Sequence, residues 1–479
     1  MYRYLVILIV VLVFRGVFLA WYIQQGFVGL GPDEAQYWTW SKALDWGYYS
    51  KPPGVAFQIA AGTSLLGDTE WGVRAGALFL GSLLSLSIFF LAVVGGLSFQ
   101  IAFWSALVMA FSPLGIMGSL FAITDVAMMV AWVIACCLLV RTFTSDQPPP
   151  YKLIGLCIAI GAIFKWPIYF LWLVVLLGMA LYPKLRSKEM IWGVLISLLG
   201  LIPALIWNFQ HEWVTFRHVS GNMVHVLHGN VWEFLGTQVA LISPVLFVLL
   251  VLAWAWIFVD HMPPIVKLGS LSSLIIIGIY VVVACFQKMQ GNWSVFAYPL
   301  AIPALVWISM RWTRIGVGVS FLFVAAVLAI PMLQLPVKTS PFKHNIGWSK
   351  IGEDLKKVGY DPDKYFLFGE SYQMASLLSF YAPGQRRAYF FNLEGARHNQ
   401  FDIWPGMAQE QVGKTGLFVQ VDYSGHKDCN EKKTEELKEY FKNVECLGTF
   451  SLSNQFPKVV HIWRCEEYQG NEPAIPKKY

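Results

Sequence analysis

The residues best equipped for chemistry gather in a few short stretches between long apolar runs. The first is Gly31-Pro32-Asp33-Glu34-Ala35-Gln36-Tyr37-Trp38, continuing to Tyr48-Tyr49-Ser50-Lys51-Pro52-Pro53-Gly54. It sets two adjacent carboxylates and a lysine at a hydrocarbon boundary, where charge is costly unless solvated, paired or used. A wet connecting loop would account for the acids alone. It would not account for Trp38, Trp40, Trp46, Tyr48 and Tyr49, which make an amphipathic segment suited to an interface. Later stretches add Thr124-Asp125, Lys165-Trp166-Pro167, Trp207-Asn208-Phe209-Gln210-His211-Glu212-Trp213 with Arg217-His218, and Lys288 with Asn292-Trp293. Carboxylates and cations on one side of a helical bundle suit a reaction that needs a base and an anion clamp. Asp33 and Asp125 are the catalytic candidates. Glu34, Tyr37, Lys51, Lys165, His211, Arg217, His218, Lys288 and Asn292 are the substrate-binding candidates.

Each residue alone has a plainer explanation. Lys165 and Lys288 end apolar runs and would snorkel to the interface there. Asp125 suits a helix cap. His211 and His218 are two helical turns apart, so a continuous helix puts both on one face as a structural, metal or phosphate pair. Arg15, inside the first apolar run, calls for an internal acid or carbonyl. Together, so many of these groups on one face point to a site.

Composition says what must hold them. The 479 residues are 56% hydrophobic and 13% charged, with mean hydropathy +0.54, against about a quarter charged in soluble domains. The chain reads as a polytopic α-helical membrane protein. A net charge of +6 without dense basic runs excludes nucleic acid as a partner. Runs long enough to span lie near 4–24, 73–95, 100–120, 125–141, 152–165, 168–182, 190–207, 233–258, 267–286, 295–310 and 315–335, eleven in all. The first is followed by no small-residue cleavage site and reads as an uncleaved helix. Lys and Arg bias puts Arg3, the Arg141–Lys152 loop, Lys184 to Lys188, Arg311 and Arg314 inside. The N-terminus is then cytoplasmic, and the loop over 26–72 and everything after 336 lie outside. An odd span count agrees.

Residues 1–335 thus form a transmembrane domain and 336–479 a small α/β domain outside the membrane. In the latter, Tyr365 to Phe368, Gly416 to Val421 and Lys458 to Trp463 read as strands, the last one closing the sheet, and Thr434 to Asn443 as a helix. Four cysteines lie in apolar runs. Cys429, Cys446 and Cys465 lie in the polar tail, where one disulfide is open to them in an oxidising compartment.

The ordered set carries a resemblance. The first-loop Asp-Glu, Tyr-Tyr-Ser-Lys-Pro-Pro, Thr124-Asp125, the Trp207 to Phe216 segment, Asn292-Trp293 with Tyr298-Pro299, and the Gly369 to Ser376 block with Phe380-Tyr381 resemble bacterial GT-C glycosyltransferases. That group includes protein O-mannosyltransferases and lipid A aminoarabinose transferases, which use polyprenyl-phosphate-linked sugars. The resemblance implies a GT-C fold in the bacterial inner membrane and an inverting transfer to an acceptor hydroxyl of lipid A, a glycan or a protein. It implies Asp33 as base or acceptor-binding group and Lys51, with Lys165, against the lipid phosphate. Partners would be the donor, a membrane-embedded or periplasmic acceptor, and the bilayer. No cofactor is assigned, and a divalent cation stays open. Gln36 stands where aminoarabinose transferases carry arginine, and no β-trefoil tail follows the spans. A lipid-linked-sugar transporter is the alternative that buried charge on a lipid path would also fit.

Overall fold

The structure is a computed structural model and describes residues 2–145, 147–218, 229–258, 261–337 and 339–473. Helix α1 (Tyr2–Gln24) leads into the first loop, which folds into two further helices, α2 (Pro32–Ser41) and α3 (Gly54–Leu66). Local chemistry explains α2. Pro32 opens it, Asp33 and Glu34 occupy its positive end, and Glu34 Oε2 accepts the Gly31 N–H at 3.1 Å. Gly67, at φ 75°, stops α3. Thr69 then caps α4 (Glu70–Val94), its hydroxyl accepting the Gly72 N–H at 3.0 Å.

Among the described residues seven helices are long and apolar enough to cross a membrane, nine if two bent pairs each count as one span. The first pair is α5 (Phe99–Phe111) and α6 (Pro113–Leu120), bent by 58°; the second, Val231–Ile242 with Pro244–Ala255, turns by 105°. Each break precedes a proline, which has no N–H to continue the helical ladder. These nine correspond to nine of the eleven runs read from sequence. The other two, near 152–165 and 168–182, are the shorter apolar helices α8 (Tyr151–Ala162) and Trp166–Leu181. Helix α7 (Thr124–Val140) carries Asp125 in its first turn. Arg15 finds its carbonyl: it donates to Ala110 O at 2.9 Å, and to Ser119 and Ser82 hydroxyls at 3.0 and 3.3 Å.

The C-terminal domain holds a five-stranded sheet of β1 (Phe366–Gly369), β2 (Tyr389–Phe390), β3 (Gly416–Asp422), β4 (Phe441–Ser451) and β5 (Val459–Tyr468), in the order β2-β1-β3-β5-β4. The last strand lies inside the sheet, antiparallel to both β3 and β4. The helix expected over Thr434–Asn443 spans Glu431–Lys438 instead. Phe441 is drawn into β4, where its ring stacks on Phe368 at 5.3 Å and is fully buried. Cys429 and Cys446 form a disulfide, and Cys465 is buried and free.

Helix Tyr372–Tyr381, capped by Ser371, docks this domain onto the first loop. Phe380 meets Trp38 edge-on at 5.1 Å. The Tyr381 hydroxyl accepts the Leu30 N–H at 2.6 Å and donates to Glu70 at 2.5 Å. Gln385 donates to Asp68 O at 3.0 Å. The two domains therefore meet over the stretch where the carboxylates lie.

Candidate functional site

One turn of α2 sends its two acids in different directions. Glu34 turns inward and accepts from Arg74 Nε at 2.9 Å and Nη2 at 2.7 Å. It also takes the N–H of Ala122 at 3.0 Å. The rest of the guanidinium donates to Val28 O and Gly29 O, both at 2.8 Å. Both side chains are buried. From sequence Glu34 is grouped with the substrate-binding residues. The structure places it in a buried ion pair that ties the first loop to α4 and to the chain before α7.

Asp33 stays accessible to water, although enough protein surrounds it to withhold much of its hydration. That desolvation raises its carboxyl above the ordinary range; Lys51 and Arg397 oppose the rise and Glu34 adds to it. Lys51 is the mirror case. Burial lowers its ammonium and Lys165 lowers it further, while Asp125 and Asp33 work to restore it. These groups therefore share one recess.

The recess is built by three local devices. Lys51 sits in a tight turn closed by the Tyr48 N–H donating to Lys51 O at 3.0 Å. Tyr48 stacks on Trp40 at 4.6 Å with the rings nearly parallel. The turn is then fastened to the end of α8: the Gly54 N–H donates to Ile163 O at 2.8 Å, and a Cβ at Gly54 would lie 2.7 Å from the Phe164 ring. Only glycine allows that approach. Two residues past Ile163, Lys165 is buried rather than snorkelled, and donates to Asp125 at 2.6 Å. Asp125 is thus an ion-pair partner, and the α7 N-cap is Ile123 with no side-chain cap bond. Tyr37 is buried beside this set, its hydroxyl held well up by desolvation and by Asp33, Asp125, Tyr372 and Glu34.

The C-terminal domain supplies the fourth wall, which the sequence reading did not assign. Gln400 accepts the Tyr49 N–H at 2.7 Å, and the Tyr49 ring packs on His218 at 4.9 Å. Arg397 Nη1 lies 3.3 and 3.4 Å from the two ring nitrogens of His218, and Nη2 donates to the Tyr372 hydroxyl at 3.5 Å. Tyr372 had a signal in the Gly369–Ser376 block. Arg397 had none.

The comparisons with known proteins bear on this arrangement. Residues 50–207 match the family model described as dolichyl-phosphate-mannose-protein mannosyltransferase. The chain is 26% identical over 470 residues to the lipid A galacturonosyltransferase RgtD of Rhizobium johnstonii, covering 93% of this chain and 92% of that protein. Its fold is that of ArnT from Cupriavidus metallidurans bound to undecaprenyl phosphate, with a TM-score of 0.63 at 14% identity over 95% of this chain and 97% of that one. The apo form of ArnT matches with a TM-score of 0.60 over 96% and 98% of the two chains. In fold, and in the family model and curated relative it matches, the chain is similar to membrane glycosyltransferases of the GT-C type. The transporter alternative is set aside.

The remaining candidates are distributed unevenly. His211 stacks on Trp207 at 4.2 Å, with Nδ1 2.7 Å from Trp207 O. Glu212 and Trp213 then adopt left-handed φ of 53° and 60°, so the helix is interrupted and His211 and His218 do not share a helical face. This corrects the sequence expectation; His218 belongs with the recess and His211 with Trp207. Arg217 is exposed, 3.6 Å from Glu212. Lys288 and Asn292 are exposed beyond the end of the Pro264–Phe286 helix, and no described contact links them to the recess. Among the described residues no three His, Cys, Asp or Glu side chains group as metal ligands. What the recess offers is a desolvated carboxylate facing a desolvated ammonium, flanked by a fixed Lys165–Asp125 pair.

Proposed function

We propose that this glycosyltransferase moves a sugar from a polyprenyl-phosphate donor to a hydroxyl of a lipid acceptor on the periplasmic face of the inner membrane, with inversion. The observation that carries this is the coupling of Asp33 and Lys51 in one desolvated recess. The acceptor hydroxyl attacks the anomeric carbon, Asp33 takes up its proton, and the sugar–phosphate bond breaks in line. The electron pair leaves on the phosphate, whose added charge Lys51 meets. Phosphate is already a good leaving group, so stabilising it matters more than protonating it. Asp125 holds Lys165 oriented beside Lys51. Glu34 positions α2 through Arg74.

Undecaprenyl phosphate in ArnT supports a polyprenyl carrier, and RgtD makes a uronic acid the first sugar to test and lipid A the first acceptor. Orientation rests on the Lys and Arg bias and on the Cys429–Cys446 disulfide, which suits an oxidising compartment. Purified protein in nanodiscs, given radiolabelled undecaprenyl-phosphate galacturonic acid and lipid A, should yield labelled lipid A with the opposite anomeric configuration. Retention of configuration, or movement of donor across a vesicle without transfer, would contradict the proposal.

A further inference from the structure

Among the described residues, ion pairing in and around the recess leaves one cation unspent. Lys165 is met by Asp125 and Arg74 by Glu34. Lys51 and Arg397 remain, against Asp33 alone. Lys51 lies on the loop fastened to the membrane helices and suffices for the donor phosphate. Arg397 comes from the opposite wall, and its described partners are the His218 ring and the Tyr372 phenol, neither a carboxylate. Its side chain remains exposed to solvent.

The segment presenting it is braced. The Asn392 amide donates to Ala396 O and accepts the Ala396 N–H, both at 2.7 Å, closing the turn before Arg397. After it, Asn399 N–H donates to Asp402 at 2.7 Å, Asn399 Oδ1 accepts from Phe401 at 2.9 Å, and Gln400 holds Tyr49. An arginine positioned before ligand arrives loses little entropy on binding. Its planar fork matches a carboxylate through two parallel N–H···O bonds. An acidic sugar placed beside Asp33 would be repelled unless a cation stood next to both.

We propose that Arg397, seated on His218 and Tyr372, is a subsite for a carboxylate on the transferred sugar, and so selects uronic acid donors over neutral ones. This rests on the donor reading above. The test compares undecaprenyl-phosphate galacturonic acid with undecaprenyl-phosphate galactose on full-length wild type, Arg397→Gln and Arg397→Lys, all with matching melting temperatures. Wild type should prefer the uronate. Arg397→Gln should lower kcat/KM for the uronate about ten- to a hundredfold, the range of a lost charge-assisted contact. Because Arg397 also acts on Asp33, the neutral donor should lose some kcat/KM too, but about tenfold less than the uronate, and Arg397→Lys should recover part of the preference. Equal losses on both donors would assign Arg397 to the phosphate or to domain docking and overturn the proposal, as would no loss on either. Failure of wild type to transfer either sugar would instead overturn the donor reading on which this rests.

Discussion

Asp33 and Glu34 are consecutive residues in one helical turn with the same formal charge, and their surroundings differ in every respect that matters. Glu34 is buried, accepts four hydrogen bonds and faces a guanidinium that itself donates four. Asp33 accepts none of the described bonds, keeps contact with water, and is held above the usual carboxylate range by desolvation. Glu34 has its lone pairs engaged. A carboxylate whose charge is poorly solvated gains by taking up a proton, and a base poised nearer neutrality moves protons more efficiently. In the proposed mechanism the pair separates stability from chemistry within a single peptide unit.

The largest effect should come from breaking the satisfied member. Arg74→Met leaves Glu34 as a buried, unpaired acid and should cost about 3–5 kcal/mol, seen as a fall in melting temperature with turnover declining in step. The recess should respond differently. Lys51→Ala is expected to lower kcat/KM about ten- to a hundredfold while melting temperature stays level or rises. The sign follows from burial, which lowers the folded-state pKa of Lys51 below its unfolded value. The unfolded chain then binds more protons between the two values, so the wild-type lysine costs stability as pH falls through that window. Unchanged turnover in Lys51→Ala would move the phosphate clamp to Lys165. The smallest effect belongs to the exposed Arg386–Asp363 pair. Arg386→Ala should change stability by under about 1 kcal/mol and transfer not at all, which gives the baseline for both comparisons.

The groups of the recess were legible as candidates in the sequence, because Asp125 and Lys165 sit at the ends of apolar runs and Asp33 and Lys51 lie in the aromatic-rich loop between two of them, where charge needs a reason. The helical spans were legible for the same cause, apart from the bends at Pro113 and Pro244. What separates Asp33 from Glu34 was not legible, since the difference is made by Arg74, which the sequence presents as one charge at the start of a span. Nor was Arg397, some 360 residues from Asp33, whose place depends on how the Tyr372–Tyr381 helix docks on α2. The His211–His218 spacing misled because a left-handed turn at Glu212-Trp213 interrupts the helix, and neither residue type signals such a turn.

The central claim is that Asp33, and not its neighbour, takes the acceptor proton. It is tested most directly by measuring transfer from radiolabelled donor and melting temperature together, across pH, in Asp33→Asn and Glu34→Gln. Asp33→Asn should retain below about one per cent of turnover and melt at or above wild type. The raised pKa of Asp33 means that its ionisation costs the folded state stability as pH rises. Wild-type transfer should correspondingly fall on the acid side at a pH above the ordinary carboxylate range, where protonation removes the base. Glu34→Gln should melt lower and keep turnover in its folded fraction. Near-normal transfer in Asp33→Asn, or losses that track melting temperature in both variants, would contradict the account.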